Sequence, residues 1–178
     1  MAPASLGTLL DPSYLDGLTD LPIEEVRSRR DQAVEVETGR SYVRRLIQGR
    51  LDILQAELRR RESGEIAGDV AQLVERLPEI LGDRVRPPGT GRLSTLMAPA
   101  DLDVAQVGRL DEIIGIDALA HLPELTEPQV RQASDSLAQY EQEVSADRKA
   151  LFTVIDRLQD ELVRRYKSGE ANVDTLLT

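Results

Sequence analysis

The chain has 178 residues, with 22 Lys and Arg against 32 Asp and Glu, so its formal net charge is -10. An acidic total argues against a general nucleic-acid-binding protein, because phosphate backbones select basic surfaces. There is no cysteine and one histidine, His121. This excludes disulfides, thiolate metal sites, a Cys nucleophile and a two-histidine metal site within one chain.

Aromatic residues are scarce, with four Tyr, one Phe and no Trp. Such a composition favours helices joined through Leu, Val and Ile seams over a thick globular core. No stretch approaches the roughly 18 to 20 apolar residues of a membrane span, and the first residues lack the basic region of a signal peptide. We therefore expect a cytoplasmic protein with no membrane contact.

Two long helices dominate the predicted order of elements. After an N-terminal extension (1–21), the first helix is predicted over 22–63, with Asp20 as its cap, Pro22 just inside its start and Gly64 at its stop. The second is predicted over 126–169, with Thr126 as its cap, followed by a C-terminal tail (170–178). Helices of this length predict an all-α fold, a long antiparallel helical hairpin or coiled coil.

The connector between them (64–125) has another character. Residues 67–81 and 101–115 are typical of short amphipathic helices, and 84–92 has the Pro and Gly content of a linker. Gly89-Thr-Gly91 lacks the Gly-Lys-Ser/Thr of a phosphate-binding loop and follows no strand, so we interpret it as a flexible connector.

The two long helices repeat each other at an offset of 104 residues. Over the 36 positions of 26–61, 13 residues recur, whereas unrelated segments would share about two. We interpret this as a duplicated helix. An antiparallel hairpin with Glu37 level with Asp156 aligns both pairs of helix ends and brings the two copies to the same height.

Each helix carries a polar stripe beside its apolar seam. At about 100° per residue the stripe of the first helix falls within an arc of roughly 80°. The first stripe comprises Glu37, Ser41, Arg44, Gln48 and Asp52, and the second comprises Glu141, Ser145, Arg148 and Asp156. A single such stripe is usually a solvated face of Glu–Arg pairs. Two matched copies favour a twofold ligand of guanines and phosphates, because carboxylates accept from guanine N1 and N2, and Arg addresses O6, N7 or phosphate.

The spacing Glu37-x3-Ser41-x2-Arg44-x3-Gln48-x3-Asp52 resembles the signature of the RsiG-type anti-sigma factors of actinobacteria. The second copy, Glu141-x3-Ser145-x2-Arg148-x3-Phe152-x3-Asp156, matches at four of five positions. The resemblance implies two intercalated cyclic di-GMP molecules between the motif-bearing helices. It also implies a monomer that, when loaded, captures a WhiG-type sigma factor in a 1:1 complex and represses transcription without touching nucleic acid itself.

Phe152 departs from the pattern, which has Gln at this position. Its side chain either stacks on a guanine or packs in the seam without a ligand role. Arg40, Arg45 and Lys149 lie near the stripe and are further candidates for phosphate contacts, although the spacing does not single them out.

Two other classes of function compete with an anti-sigma factor. A structural coiled-coil adaptor would carry the stripe only as solvated charge. An enzyme is the least favoured interpretation, because no nucleophile–base pair or metal cluster is visible in the sequence, although Glu37 and Asp52 are carboxylates of the kind used in acid–base catalysis.

The acidity is unevenly distributed. The segment 64–125 holds 11 acidic against 5 basic residues, whereas 22–63 holds 8 against 10. We therefore expect the hairpin to tolerate an anionic ligand and the connector, in particular 101–112, to offer an acidic surface to a basic partner such as a sigma factor.

Overall fold

The computed structural model describes residues 5–64 and 104–169, and this part of the chain is helical and turn structure without a strand. In chain order the elements are α1 (Leu6–Leu9), 3-10 turns at Pro12–Leu15 and Leu18–Asp20, α2 (Ile23–Glu62), α3 (Val104–Ile113), α4 (Ile116–Ala120), a 3-10 turn at Leu122–Glu124 and α5 (Glu127–Ser168). The predicted helix over 67–81 and the linker over 84–92 lie outside the described residues.

The ends of the long helices fall within one residue of the predicted limits. Gly64 and Gly169, each with a φ in the left-handed region (69° and 77°), follow the last turns, as expected for helix C-termini. At the start of α5 the Gln129 side chain accepts from the Thr126 N–H at 2.8 Å, half of a capping box. The prediction that Asp20 caps α2 is wrong, because Asp20 belongs to the preceding 3-10 turn and the Pro22 carbonyl accepts from the Val26 N–H.

Contacts divide the chain into two compact units. Unit 1 comprises Met1–Tyr42 with Glu143–Thr178, and unit 2 comprises Val43–Gln142. In unit 1 Arg27 contacts Tyr166, whereas the later Glu37 contacts the earlier Arg148, so the helices run antiparallel. In unit 2 the pairs Arg44–Glu141 and Glu62–Arg131 have the same sense. The predicted all-α helical hairpin is thus confirmed.

The core of unit 1 includes the segment before α2. The segment contributes Leu9, which is fully buried and packs in one cluster with Val26 of α2 and Leu158 of α5. Arg165 fastens the same segment, because its guanidinium donates to the carbonyls of Leu21 at 2.6 Å and Leu18 at 2.8 Å. The residues 5–21 are therefore an integral part of this core.

The core of unit 2 is likewise built from both long helices and from the segment that precedes one of them. Ile47 and Leu54 of α2 are fully buried, as are Leu110 of α3 and Leu137 of α5. Here Arg61 donates to the Leu122 carbonyl at 2.9 Å, at the 3-10 turn that precedes α5.

The repeat therefore extends beyond the long helices. The offset of 104 residues relates Arg61 to Arg165 and also Leu18 to Leu122, and the two contacts Arg165–Leu18 and Arg61–Leu122 are equivalent. Each copy consists of a leucine-rich turn and the long helix that follows it. Each turn is fastened by the last arginine cluster of the other copy's helix.

A buried carboxylate organises each of these arginine clusters. Glu161 bonds Arg164 at 2.8 Å and Arg165 at 2.6 Å, and these two guanidinium groups lower the pKa of Glu161 to about 2. The equivalent Glu57 bonds Arg60 and Arg61, which likewise lower its pKa. Within residues 5–64 and 104–169, no helix combines the length and the apolar character required to cross a membrane.

Candidate ligand-binding site

Glu37 is the centre of the motif residues in unit 1, which we call half-site 1. Its carboxylate is almost fully buried, at 6% exposure, and accepts from the Ser41 hydroxyl one turn later at 2.6 Å. The Arg148 guanidinium on α5 donates to the same oxygen from Nε at 3.1 Å. A buried carboxylate requires such donors, because its desolvation is otherwise uncompensated.

Glu141 is the centre of the corresponding group in unit 2, which we call half-site 2. It accepts from Arg44 Nε at 2.7 Å and from the Gln48 amide at 3.2 Å. The Glu141 side chain is 20% exposed, against 7% for Glu37. The two carboxylates therefore have similar partners, but solvent reaches Glu141 more easily.

The two half-sites obey one rule: the Glu of one motif copy is paired with the Arg of the other copy. The pairs Glu37–Arg148 and Glu141–Arg44 are related by the same offset of 104 residues. The predicted register, with Glu37 level with Asp156, agrees with the pairs Arg27–Tyr166 and Glu62–Arg131 near the helix ends. Glu37 itself, however, contacts Arg148, two turns earlier in α5. The register aligns the helix ends and the two motif copies, whereas the contact of Glu37 depends on where a cation can reach the buried carboxylate.

A cavity of about 280 Å³ opens beside half-site 2. Motif residues of both copies line it, with Gln48 and Asp52 from α2 and Glu141 from α5. The remaining lining is Leu51, Gln55, Ala138 and Gln142. The cavity thus combines an apolar wall with amide and carboxylate groups, which is the combination expected of a pocket that orients a planar, hydrogen-bonding ligand.

Phe152 does not pack in the seam. Its side chain is 38% exposed and lies against Arg148, whose guanidinium carbon is 5.4 Å from the ring centroid. Arg148 is therefore held by this cation–π contact as well as by its ion pair with Glu37. The position that carries a hydrogen-bonding amide in half-site 2 therefore carries an aromatic ring in half-site 1.

The remaining motif residues lie along the same helices. Ser145 is half-buried on α5, and Asp156 is exposed and has no bonding partner among the described residues. Of the three cations predicted near the stripe, Arg40 bonds Asp147 at 3.0 Å. The sequence pattern alone does not single out Asp147. Its signal is the spacing of seven positions between the seam residues Val144 and Leu151, where an apolar residue would be expected at 147.

Comparison with known proteins identifies the family. The family model described as RsiG-like matches residues 12–81 and 116–178, which is most of the chain and includes all ten predicted motif positions. No curated protein matches the chain. The family is one of regulatory anti-sigma factors, which indicates a sigma factor as the partner. The chain belongs to the RsiG-like family.

Proposed function

We propose that the protein is an anti-sigma factor that binds cyclic di-GMP through both half-sites and, when loaded, holds a WhiG-type sigma factor away from RNA polymerase. The observation that carries the proposal is the reciprocal pairing of Glu37 with Arg148 and of Glu141 with Arg44. Each half-site draws its anion and its cation from different motif copies, as a duplicated motif for a twofold ligand requires.

The chemistry of the pairs suits an exchange of partners. Guanine N1 and N2 can donate to the Glu carboxylate while the released Arg addresses guanine O6 and N7 or a phosphate. Each charged group then keeps a counterpart, so binding does not leave a buried charge unpaired. The cavity lined by Gln48, Asp52 and Glu141 supports half-site 2 as the place where a base enters.

The two motif copies differ at one position, and we propose that the half-sites contribute unequally. Gln48 adds an amide that can bond a base edge, whereas Phe152 adds a ring that can only stack or hold Arg148 in place. One ligand molecule per half-site, two per chain, is the expected stoichiometry. Half-site 2 is expected to supply the larger share of hydrogen bonds.

A basic partner is favoured by the segment before α5. Glu112, Asp117 and Glu124 are exposed there, and Asp111 is exposed although it also pairs with Arg50. A DNA-binding sigma factor carries the complementary positive charge. Because the ligand and the sigma factor are proposed to prefer the same state of the hairpin, each raises the affinity for the other.

A pull-down assay tests the proposal. A WhiG-type sigma factor immobilised on resin is expected to retain the protein in the presence of cyclic di-GMP and to release it when the dinucleotide is removed. Equal retention with and without the dinucleotide contradicts the proposed linkage. A structural adaptor is favoured instead if neither cyclic di-GMP nor other guanine dinucleotides shift the thermal unfolding midpoint, because the Glu–Arg pairs would then serve only to join the helices.

A further inference from the structure

Each long helix has a charged residue between two valine or leucine positions of its apolar seam. In α2 Arg40 lies between the seam residues Val36 and Val43, and in α5 Asp147 lies between Val144 and Leu151. The two charged residues meet inside unit 1, where Arg40 Nη1 is 3.0 Å from Asp147 Oδ2. Their side chains are mostly buried, at 14% and 29% exposure.

The repeat shows that this ion pair is not duplicated. At the offset of 104 residues, the position of Arg40 is occupied in α5 by Val144, and the position of Asp147 is occupied in α2 by Val43. Both valines are fully buried. The helix α2 therefore carries the arginine of the ion pair and a valine at the position of the aspartate. The helix α5 carries the aspartate and a valine at the position of the arginine.

This arrangement discriminates between ways of pairing the helices. If α2 packed in the same manner on α2 of a second molecule, Arg40 would face Val43 of that molecule, and the symmetric contact would repeat the mismatch. Two α5 helices would bury Asp147 against Val144 in the same way. Burying an unpaired charge is strongly unfavourable, and a single polar group in an apolar helix seam is known to specify register and oligomeric state.

We propose that the Arg40–Asp147 pair selects the pairing of α2 with α5 and opposes association of each long helix with the same helix of a second molecule. The repeat calls for such a selector, because most apolar seam positions of α2 have an apolar counterpart in α5. The pair is not arranged for maximal stability, since Arg40 Nε is buried without an acceptor in the described structure. Incomplete satisfaction of this kind suits a residue that specifies a partner.

The test exploits the absence of native thiols. A cysteine at Gly39, where a side chain meets open space, would be the only thiol of the chain, and the dipolar coupling between nitroxide labels attached there reports the distance between two α2 helices. The full chain with Gly39→Cys is compared with the same chain carrying Arg40→Val and Asp147→Val, both refolded from denaturant at high protein concentration. The double valine variant is expected to give at least about tenfold more of the dimer in which the two labels couple, because its seam no longer penalises self-pairing.

Two controls define the interpretation. Arg131→Val with Glu62→Val makes the same kind of change in an exposed interhelical pair and is expected to leave the dimer yield unchanged. In a second measurement, Arg40→Asp is expected to lower the unfolding midpoint and the charge-swapped Arg40→Asp/Asp147→Arg chain to restore it. Equal dimer yields in the native and double valine chains overturn the proposal, and so does failure of the charge swap to restore the midpoint.

Discussion

Arg44 Nε lies 2.7 Å from the carboxylate of Glu141, which pairs the arginine of one motif copy with the glutamate of the other. The equivalent pair, Arg148 with Glu37, repeats this relationship in half-site 1. The charged residues of these two pairs therefore satisfy one another. A ligand that replaces these contacts must offer donors to the carboxylates and acceptors to the guanidinium groups at the same time.

The first prediction concerns the stability of the two half-sites. Arg148→Ala is expected to lower the free energy of unfolding by about 1–3 kcal/mol, because it leaves Glu37 buried without its counter-charge. Arg44→Ala is expected to cost about 1 kcal/mol or less, since Glu141 is more exposed and keeps Gln48 as a donor. Urea unfolding measures both, and a larger cost for Arg44→Ala contradicts the assignment of Glu37 as the more buried carboxylate.

A control for this prediction neutralises the Glu37 carboxylate that Arg148→Ala leaves without a counter-charge. The double variant Glu37→Gln/Arg148→Ala is expected to be more stable than Arg148→Ala alone, because the buried group is then neutral. Far-ultraviolet circular dichroism of all variants is expected to match the native chain.

The second prediction exchanges the unequal residues of the half-sites. Gln48→Phe is expected to weaken cyclic di-GMP binding about tenfold or more, because it removes an amide beside the cavity of half-site 2. Phe152→Gln restores the complete motif and is expected to preserve or strengthen binding. Isothermal titration calorimetry distinguishes them, and loss of binding in Phe152→Gln with native binding in Gln48→Phe reverses the proposed ranking.

The third prediction is a pH dependence. In the folded state Arg164 and Arg165 hold the pKa of Glu161 at about 2 instead of 4.5. A lowered pKa means that the ionised carboxylate stabilises the fold fully above pH 4.5 and loses this contribution as the pH falls from 4.5 toward 2. Glu161→Gln is therefore expected to cost about 2 kcal/mol at neutral pH, and the difference from the native chain should shrink across that window.

The exposed Glu127 provides the matched control for this measurement. Glu127→Gln, at the first turn of the same helix, is expected to change the free energy of unfolding by less than about 0.5 kcal/mol at neutral pH. If the native chain and Glu161→Gln differ by the same amount at pH 7 and pH 2, Glu161 does not titrate as described.

The fourth prediction concerns the segment before α2. Arg165→Ala removes the donors to the carbonyls of Leu18 and Leu21 and is expected to raise hydrogen exchange throughout residues 5–21. Arg164→Ala, one residue earlier and 46% exposed, is expected to have a much smaller effect. Equal exchange in both variants would show that the apolar contacts of Leu9 hold the segment without Arg165.

Much of the fold follows from local signals in the sequence. The acidic first turns, the terminal arginines and the stop glycines place both ends of α2 and α5 to within one residue, because each signal acts on the helix that contains it. The prediction of Asp20 as the cap of α2 is wrong because Asp20 is part of a 3-10 turn. This turn forms because Leu18 and Leu21 pack against the core of unit 1, a contact that local sequence signals do not show. The packing of residues 5–21 on the hairpin is likewise not predictable from local signals, because the Arg165 side chain that binds this segment lies more than 140 positions later in the sequence.

The candidate site is predictable in its residues but not in its contacts. Fixed spacing identifies the stripe, because side chains at steps of three and four share a helix face. Spacing does not say which residues meet across helices, and the contact of Glu37 with Arg148 in place of Asp156 depends on how the seam residues interlock. In the sequence, the Arg40–Asp147 pair corresponds only to an interruption of the apolar pattern in each helix. These interruptions predict an ion pair only when the pairing of the two helices is known.

The most direct test of the central claim is a calorimetric titration of the full native chain with cyclic di-GMP, beside the double variant Arg44→Ala/Arg148→Ala. The native chain is expected to bind two molecules of the dinucleotide per chain, and the double variant is expected to bind none while remaining helical. Absence of binding by the natively folded chain, or equal binding by both proteins, would contradict the assignment of the two half-sites.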